Sequence, residues 1–162
     1  MTSAPTLKHY IDGERVAAAP GFDSLNPSNT NDIVARVPDG DAAAVDAAVK
    51  AALNAFPSWS EATGEVRSDI LERISTLIFQ RKDELARLLA REEGKTLPES
   101  TGEVLRAARI FRFFSGEALR RAGMTVESTR AGVDAATYRE AVGVFGLIAP
   151  WNFPIAIPAW KS

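Results

Sequence analysis

The sequence predicts an α/β protein, and three observations carry that prediction. Short β-rich segments divided by turn residues fill the first forty positions. Apolar residues at three- and four-residue spacing then run from about 41 to 121, the period of helices with one buried face. Near the end, Val142 to Ile148 is almost wholly apolar, the pattern of a strand covered on both faces of a parallel sheet.

The elements follow in order. Tyr10-Ile11-Asp12-Gly13-Glu14-Arg15-Val16 centres on an Asp-Gly pair, which favours a tight hairpin because both positions tolerate positive φ. Phe22–Asn26 and Ile33–Val37 are two further strand candidates, divided by the turn cluster Pro27-Ser28-Asn29-Thr30-Asn31. Together they suggest an edge ribbon rather than a core.

Asp41 is placed to cap a first helix whose inward positions are Val45, Ala48, Val49, Ala52, Leu53 and Phe56. Pro57 is expected to end it. A longer second helix is predicted over 62–93, with Val66, Ile70, Ile74, Leu77, Ile78, Leu85, Leu88 and Leu89 inward. Gly94 suits the left-handed residue past its end, and Pro98 suits the first turn of the next helix. That third helix should reach about Arg121, with Gly123 closing it. Residues 136–140 alternate as an exposed or partner-facing strand does. The strand expected at 142–148 needs sheet neighbours brought in by crossovers, and these 162 residues supply none. The chain therefore reads as part of a larger fold.

Composition narrows the function. Hydrophobic residues make up 46% and charged ones 25%, ordinary for a folded globular chain. A net charge of −2 gives no case for nucleic acid or an anionic membrane as partner. The absence of cysteine rules out disulfides, thiolate metal sites and a thiol nucleophile within the sequence. A lone histidine, His9, argues against a Ser-His-Asp triad or a multi-histidine metal site. No apolar run approaches the roughly 18 residues of a membrane span, and no secretory signal is visible, so the expected location is the cytoplasm.

The informative chemistry lies in Pro150-Trp151-Asn152-Phe153-Pro154. Two prolines stiffen the segment, and a stiff loop after a parallel strand is where open α/β sheets bind ligands. Asn152 offers an uncharged NH2 donor suited to a developing oxyanion. Equally, such an asparagine can simply satisfy backbone groups in a turn.

The wider run Glu140-Ala141-Val142-Gly143-Val144-Phe145-Gly146-Leu147-Ile148-Ala149-Pro150-Trp151-Asn152-Phe153-Pro154, followed by Ala159-Trp160-Lys161, resembles the NAD(P)-dependent aldehyde dehydrogenase superfamily. Tyr10-Ile11-Asp12-Gly13, Asn26-Pro27-Ser28, Glu93-Gly94-Lys95 and Phe113-Phe114-Ser115-Gly116 agree in order. The resemblance covers essentially this whole chain but only about the first third of a family member. Glu92–Glu99 and Ile155–Lys161 are similar to the α-ketoglutaric semialdehyde dehydrogenase branch. Ala141 departs from the pattern, since a proline usually precedes the Val-Gly pair; nothing catalytic depends on it.

The resemblance implies an aldehyde dehydrogenase-like α/β fold, present here as its N-terminal part. Residues 1–133 would form the ribbon and helical part of the cofactor domain, 134–140 an oligomerisation strand, and 141–162 the first sheet strand and active-site loop. It implies oxidation of an aldehyde to a carboxylate with NAD or NADP through a cysteine thiohemiacetal, in a homo-dimer or homo-tetramer. Asn152 would be the side-chain half of the oxyanion hole. Ile148, Ala149, Pro150, Trp151 and Asn152 would line the nicotinamide-ribose side of the cofactor crevice. Phe153, Ile157 and Trp160 would wall the substrate tunnel, although plain core packing is also open to them. Lys161 would support the loop electrostatically or stand solvated. The third helix would face the tunnel, so Arg106, with Arg109 and Arg112 at further steps, could grip a substrate carboxylate; a solvated helix face is the alternative.

The family mechanism also needs a cysteine nucleophile, a downstream glutamate base, a lysine and an acidic residue for the adenosine ribose, and a glycine-rich turn for the pyrophosphate. None of these can be placed here, so the chain is expected to be inactive alone. A short, non-catalytic interaction module reusing the same N-terminal fold is the competing reading.

Overall fold

A computed structural model describes residues 4–162. Strands β1 (His9–Ile11) and β2 (Glu14–Val16) form the expected hairpin, with Tyr10 opposite Arg15. Asp12 and Gly13 both take positive φ, 53° and 78°, as a two-residue turn matched to strand twist requires.

The next two strands exceed their predicted lengths: β3 spans Pro20–Asn26 and β4 spans Asn29–Pro38, paired antiparallel with register shifts at Ser24 to Asn26. The turn is correspondingly tighter than the five-residue cluster suggests. The Asn26 side-chain oxygen accepts from the Ser28 amide at 3.0 Å, a local closure that leaves Asn29 free to start β4.

Helix α1 (Ala42–Glu61) begins as expected, with the Asp41 carboxylate accepting from the Ala44 amide at 2.8 Å. Its end corrects the sequence reading, because Pro57 lies inside the helix. Proline removes one donor, and the helix nonetheless continues for another turn. The acceptor that Pro57 leaves without its helical donor is the Leu53 carbonyl, whereas Ser58 and Ser60 donate their hydroxyls to the Ala55 and Pro57 carbonyls at 3.0 and 2.9 Å.

The single long helix predicted over 62–93 is two helices, α2 (Gly64–Gln80) and α3 (Lys82–Glu93). They part at Arg81, whose φ of −98° and ψ of 15° leave the helical well. Its guanidinium turns to Glu84, with bonds of 2.9 and 2.6 Å. Gly94 ends α3 at φ 87°, as expected, and a Cβ there would lie 2.6 Å from the Pro27 ring. Helix α4 (Leu97–Ala118) opens with a reciprocal capping box between Thr96 and Glu99, Pro98 in its first turn. It ends three residues before the predicted Arg121.

Two small apolar clusters meet on α4. Ala86, Leu89 and Val104 form one, and Ala107, Ile110 and Ala159 the other; Ile155 packs against both. Ser75 of α2 donates its buried hydroxyl to the Ala108 carbonyl at 2.7 Å, tying α2 to α4. Of the residues predicted to point inward, Val45, Ala48, Val49 and Leu53 of α1 and Val66, Ile70, Leu77 and Leu88 of α2 and α3 are exposed. Their helical period is right, but no element among the described residues covers those faces.

After α4, β5 (Thr125–Glu127) pairs antiparallel with β6 (Asp134–Ala136). The strand expected at 136–140 thus sits slightly earlier, and β5 had no counterpart in the sequence reading. Gly123 is sterically required, since a Cβ would meet the Thr137 carbonyl oxygen at 1.8 Å.

The largest correction concerns 142–148, which forms no strand. Val142 and Ile148 are 86% and 88% exposed. A β-strand is a paired state, and every strand among the described residues belongs to one of three separate antiparallel pairs. The apolar run therefore lacks a neighbour to satisfy its backbone. The chain closes with a short helix, α5 (Ala156–Lys161).

One ion pair clamps the β3–β4 ribbon to the end of α3. Arg91 donates to both Asp32 oxygens, at 2.8 and 2.5 Å, while Asn26 adds a bond at 3.1 Å. The Arg91 hydrogen bond, then that of Asn26, lowers the Asp32 pKa from 3.8 to about 2. A depressed carboxylate stabilises the folded state above its unfolded pKa and ceases to do so as pH falls through the folded value. Stability from this pair is thus complete above pH 3.8 and lost by about pH 2. Asp32→Asn should flatten the melting-temperature profile across that interval; an unchanged acid limb would refute the clamp.

Candidate active-site loop

The Pro150–Pro154 loop is carried by α5, and α5 is carried by α4. Ala156 and Ala159 of α5 are buried, and Ala159 packs with Ala107 and Ile110 of α4. The Ile157 amide donates to the Phe153 carbonyl at 3.0 Å, coupling loop and helix directly.

A buried acid holds this junction. The Glu103 side chain is only 1% exposed. Its Oε1 accepts from the Ile155 and Ala156 amides at 2.9 and 3.1 Å. Its Oε2 accepts from Lys95 Nζ at 2.5 Å. Lys95 also donates to the Asn152 carbonyl at 3.1 Å and sits 4.5 Å from the centre of the Phe153 ring, a cation–π distance. Glu93 completes the cluster, its carboxylate 3.1 Å from Lys95 but outside hydrogen-bonding geometry. Burial disfavours the Lys95 ammonium, yet the hydrogen bond to Glu103 and the negative charges of Glu103 and Glu93 prevail and raise its pKa.

The sequence-derived site residues divide into three groups. Asn152 is fixed through its backbone carbonyl while the residue remains exposed. Ile148, Ala149, Pro150 and Trp151 form an exposed stretch, Trp151 at 81%. Lys161 reaches back to the Ile148 carbonyl at 2.9 Å, so it braces the segment rather than standing free. Phe153 is covered on one side by Lys95, Ile157 is half-buried, and Trp160 is exposed. Arg106 is exposed on α4, and the polar contacts that grip the loop come from Lys95, Glu103 and Lys161. Arg109 and Arg112 line a different cleft, of 570 Å³, between α2 and α4, with Glu72, Ser75 and Phe79. They do not belong with the loop.

Sequence reasoning missed Glu103 and gave Lys95 no role. A signal existed: positions 103, 107 and 110 share the apolar face of α4, so Glu103 is an acid in a buried stripe. Such a group needs partners.

The chain belongs to the aldehyde dehydrogenase family, whose model matches residues 15–162. It is 40% identical to the α-ketoglutaric semialdehyde dehydrogenase of Bacillus subtilis over 99% of this chain and 33% of that enzyme. A malonate-semialdehyde dehydrogenase of Listeria monocytogenes is 39% identical, over 99% of this chain and 33% of that protein. Among solved structures, the lactaldehyde dehydrogenase of Escherichia coli superposes with a TM-score of 0.90 at 31% identity, covering 97% of this chain and 33% of that one. A betaine aldehyde dehydrogenase from Staphylococcus aureus, in complex with NAD+, gives 0.89 at 34% identity, over 95% and 32%. The chain thus spans about a third of the length of these relatives.

Proposed function

We propose that this chain is the N-terminal part of an NAD(P)-dependent aldehyde dehydrogenase that oxidises an acid semialdehyde to the dicarboxylate. The carrying observation is the loop itself: Asn152 is exposed on a segment whose backbone is tied to Lys95 and Glu103. Its NH2 group would donate to the aldehyde oxygen as that oxygen gains charge. The nucleophile that adds to the aldehyde carbon is a cysteine, and the chain contains none. In this reading the cysteine comes from outside the chain, and the chain alone is expected to show no aldehyde dehydrogenase activity.

The exposed apolar surface of Ile148 and Trp151 fits one face of a nicotinamide ring. The dinucleotide supplies the hydride acceptor when bound. Ile148, Ala149, Pro150, Trp151 and Asn152 would hold its nicotinamide-ribose end, with Lys161 keeping the Ile148 carbonyl in place. NAD+ in the betaine aldehyde dehydrogenase structure supports the choice of cofactor. Phe153, Ile157 and Trp160 would wall the aldehyde channel. Arg106 would pair with the distal carboxylate, a role in keeping with the semialdehyde relatives. The complete protein would be a cytoplasmic dimer or tetramer.

The test is direct. Sequencing the reading frame beyond Ser162 should reveal a cysteine and a glycine-rich cofactor turn, and the complete protein should reduce NAD(P)+ with a semialdehyde. Arg106→Met should raise KM for the carboxylated aldehyde relative to an uncharged one. A frame that stops at Ser162 would favour the interaction module instead, and an unchanged KM ratio would remove Arg106 from the substrate site.

A further inference from the structure

We propose that Glu103, with Lys95 as its counter-ion, is the positioning residue that sets the direction of the Asn152 amide. The catalytic half of this inference rests on the aldehyde-oxidising reading above; the structural half stands without it.

A carboxylate buried on the apolar face of α4 is unfavourable unless its hydrogen-bonding capacity is used. Here one oxygen is used on the start of α5 and the other on Lys95, which itself binds the loop. Pro154 has no amide hydrogen. The first two donors after it are those of Ile155 and Ala156, and both point at Glu103 Oε1. Helix α5 has no side-chain cap of its own, because its N-cap position is Ile155. Glu103 therefore caps α5 from a different helix, a task usually done by a local Ser, Thr, Asp or Asn.

The second oxygen extends the grip upstream. It holds Lys95, and Lys95 holds the Asn152 carbonyl and covers the Phe153 ring. One ion pair thereby contacts residues 152, 153, 155 and 156, on both sides of Pro154. The Asn152 side chain is left as the unbound part of a segment whose backbone is tied down. This is the arrangement preorganisation requires, since the donor must not search for its direction when charge develops on the substrate. Lys161 on the Ile148 carbonyl braces the other end.

The deciding variant is the pair Glu103→Met/Lys95→Met. It replaces a buried ion pair by apolar side chains of similar length, an exchange that proteins often tolerate without losing stability. In the 162-residue chain, the melting temperature should fall only by the modest amount that a lost helix cap produces, while hydrogen exchange at the Ile155 and Ala156 amides accelerates at least about tenfold and that at Ala107 and Ala108 stays unchanged. Glu103→Gln keeps one acceptor oxygen and should retain part of the protection. In the complete enzyme the double variant should lower kcat by about tenfold to a hundredfold, as misplacement of a reacting group by an ångström does, with KM for the cofactor unchanged. Unaltered protection at Ile155 and Ala156 would overturn the anchor. Lost protection with unchanged kcat would overturn its part in catalysis. If the wild-type complete protein oxidises no aldehyde, the functional reading fails, and the exchange data still decide the anchor.

Discussion

Asn152→Ala in the complete enzyme should lower kcat for aldehyde oxidation by about a hundredfold to a thousandfold, the usual consequence of deleting one oxyanion donor. The reason is local. Lys95 and Glu103 bind backbone atoms of the loop, not the Asn152 side chain, so truncation removes the donor without loosening the segment that presents it. KM for the cofactor should therefore change little, because interactions made only in the transition state affect kcat and kcat/KM alike. Asn152→Asp should be at least as damaging, since a carboxylate offers acceptors where a donor is needed. Steady-state NAD(P)H formation measures both. Loss of less than threefold in kcat for Asn152→Ala would show that the amide is only a turn residue.

Leu89→Ala should remove about 2–5 kcal/mol of stability, the range for a buried leucine. Leu89 is 3% exposed and lies with Ala86 and Val104, with Ile78, Leu85 and Ile155 packed around them. Ala86 among them is already small, so it offers little to collapse into the cavity. Against a typical total of 5–15 kcal/mol, that loss is severe. Leu88 is the internal control: it is 49% exposed, and its alanine variant should shift stability by no more than about 0.5 kcal/mol. Urea midpoints followed by circular dichroism compare the two. Equal shifts would mean that this cluster is not the core. Because Ile155 belongs to the same cluster, the Leu89 cavity also borders the residue that follows the loop.

Several features were legible from residue type alone because they depend on contacts within a few positions. The Asp12-Gly13 turn, the Asp41 cap and the left-handed Gly94 are all local backbone solutions. Helix ends were less legible for the same reason inverted. Pro57 costs one donor, the partner of the Leu53 carbonyl, and the helix still runs on to Glu61. Arg81 interrupts a regular apolar period through its backbone angles, which periodicity does not register. Val142–Ile148 shows the limit most plainly. Its composition specifies a buried strand, but a strand forms only where another lies beside it.

By itself, the sequence determined membership of the aldehyde dehydrogenase family, the helical period of residues 42–118 and the choice of Asn152 as the chemical group of interest. Only the tertiary structure decided what holds that group. Lys95 and Glu103 are eight residues apart from each other but 57 and 52 from the backbone atoms they bind. No local pattern links such positions. They meet because α4 buries one face against α5, and a carboxylate on that face must find its partners there.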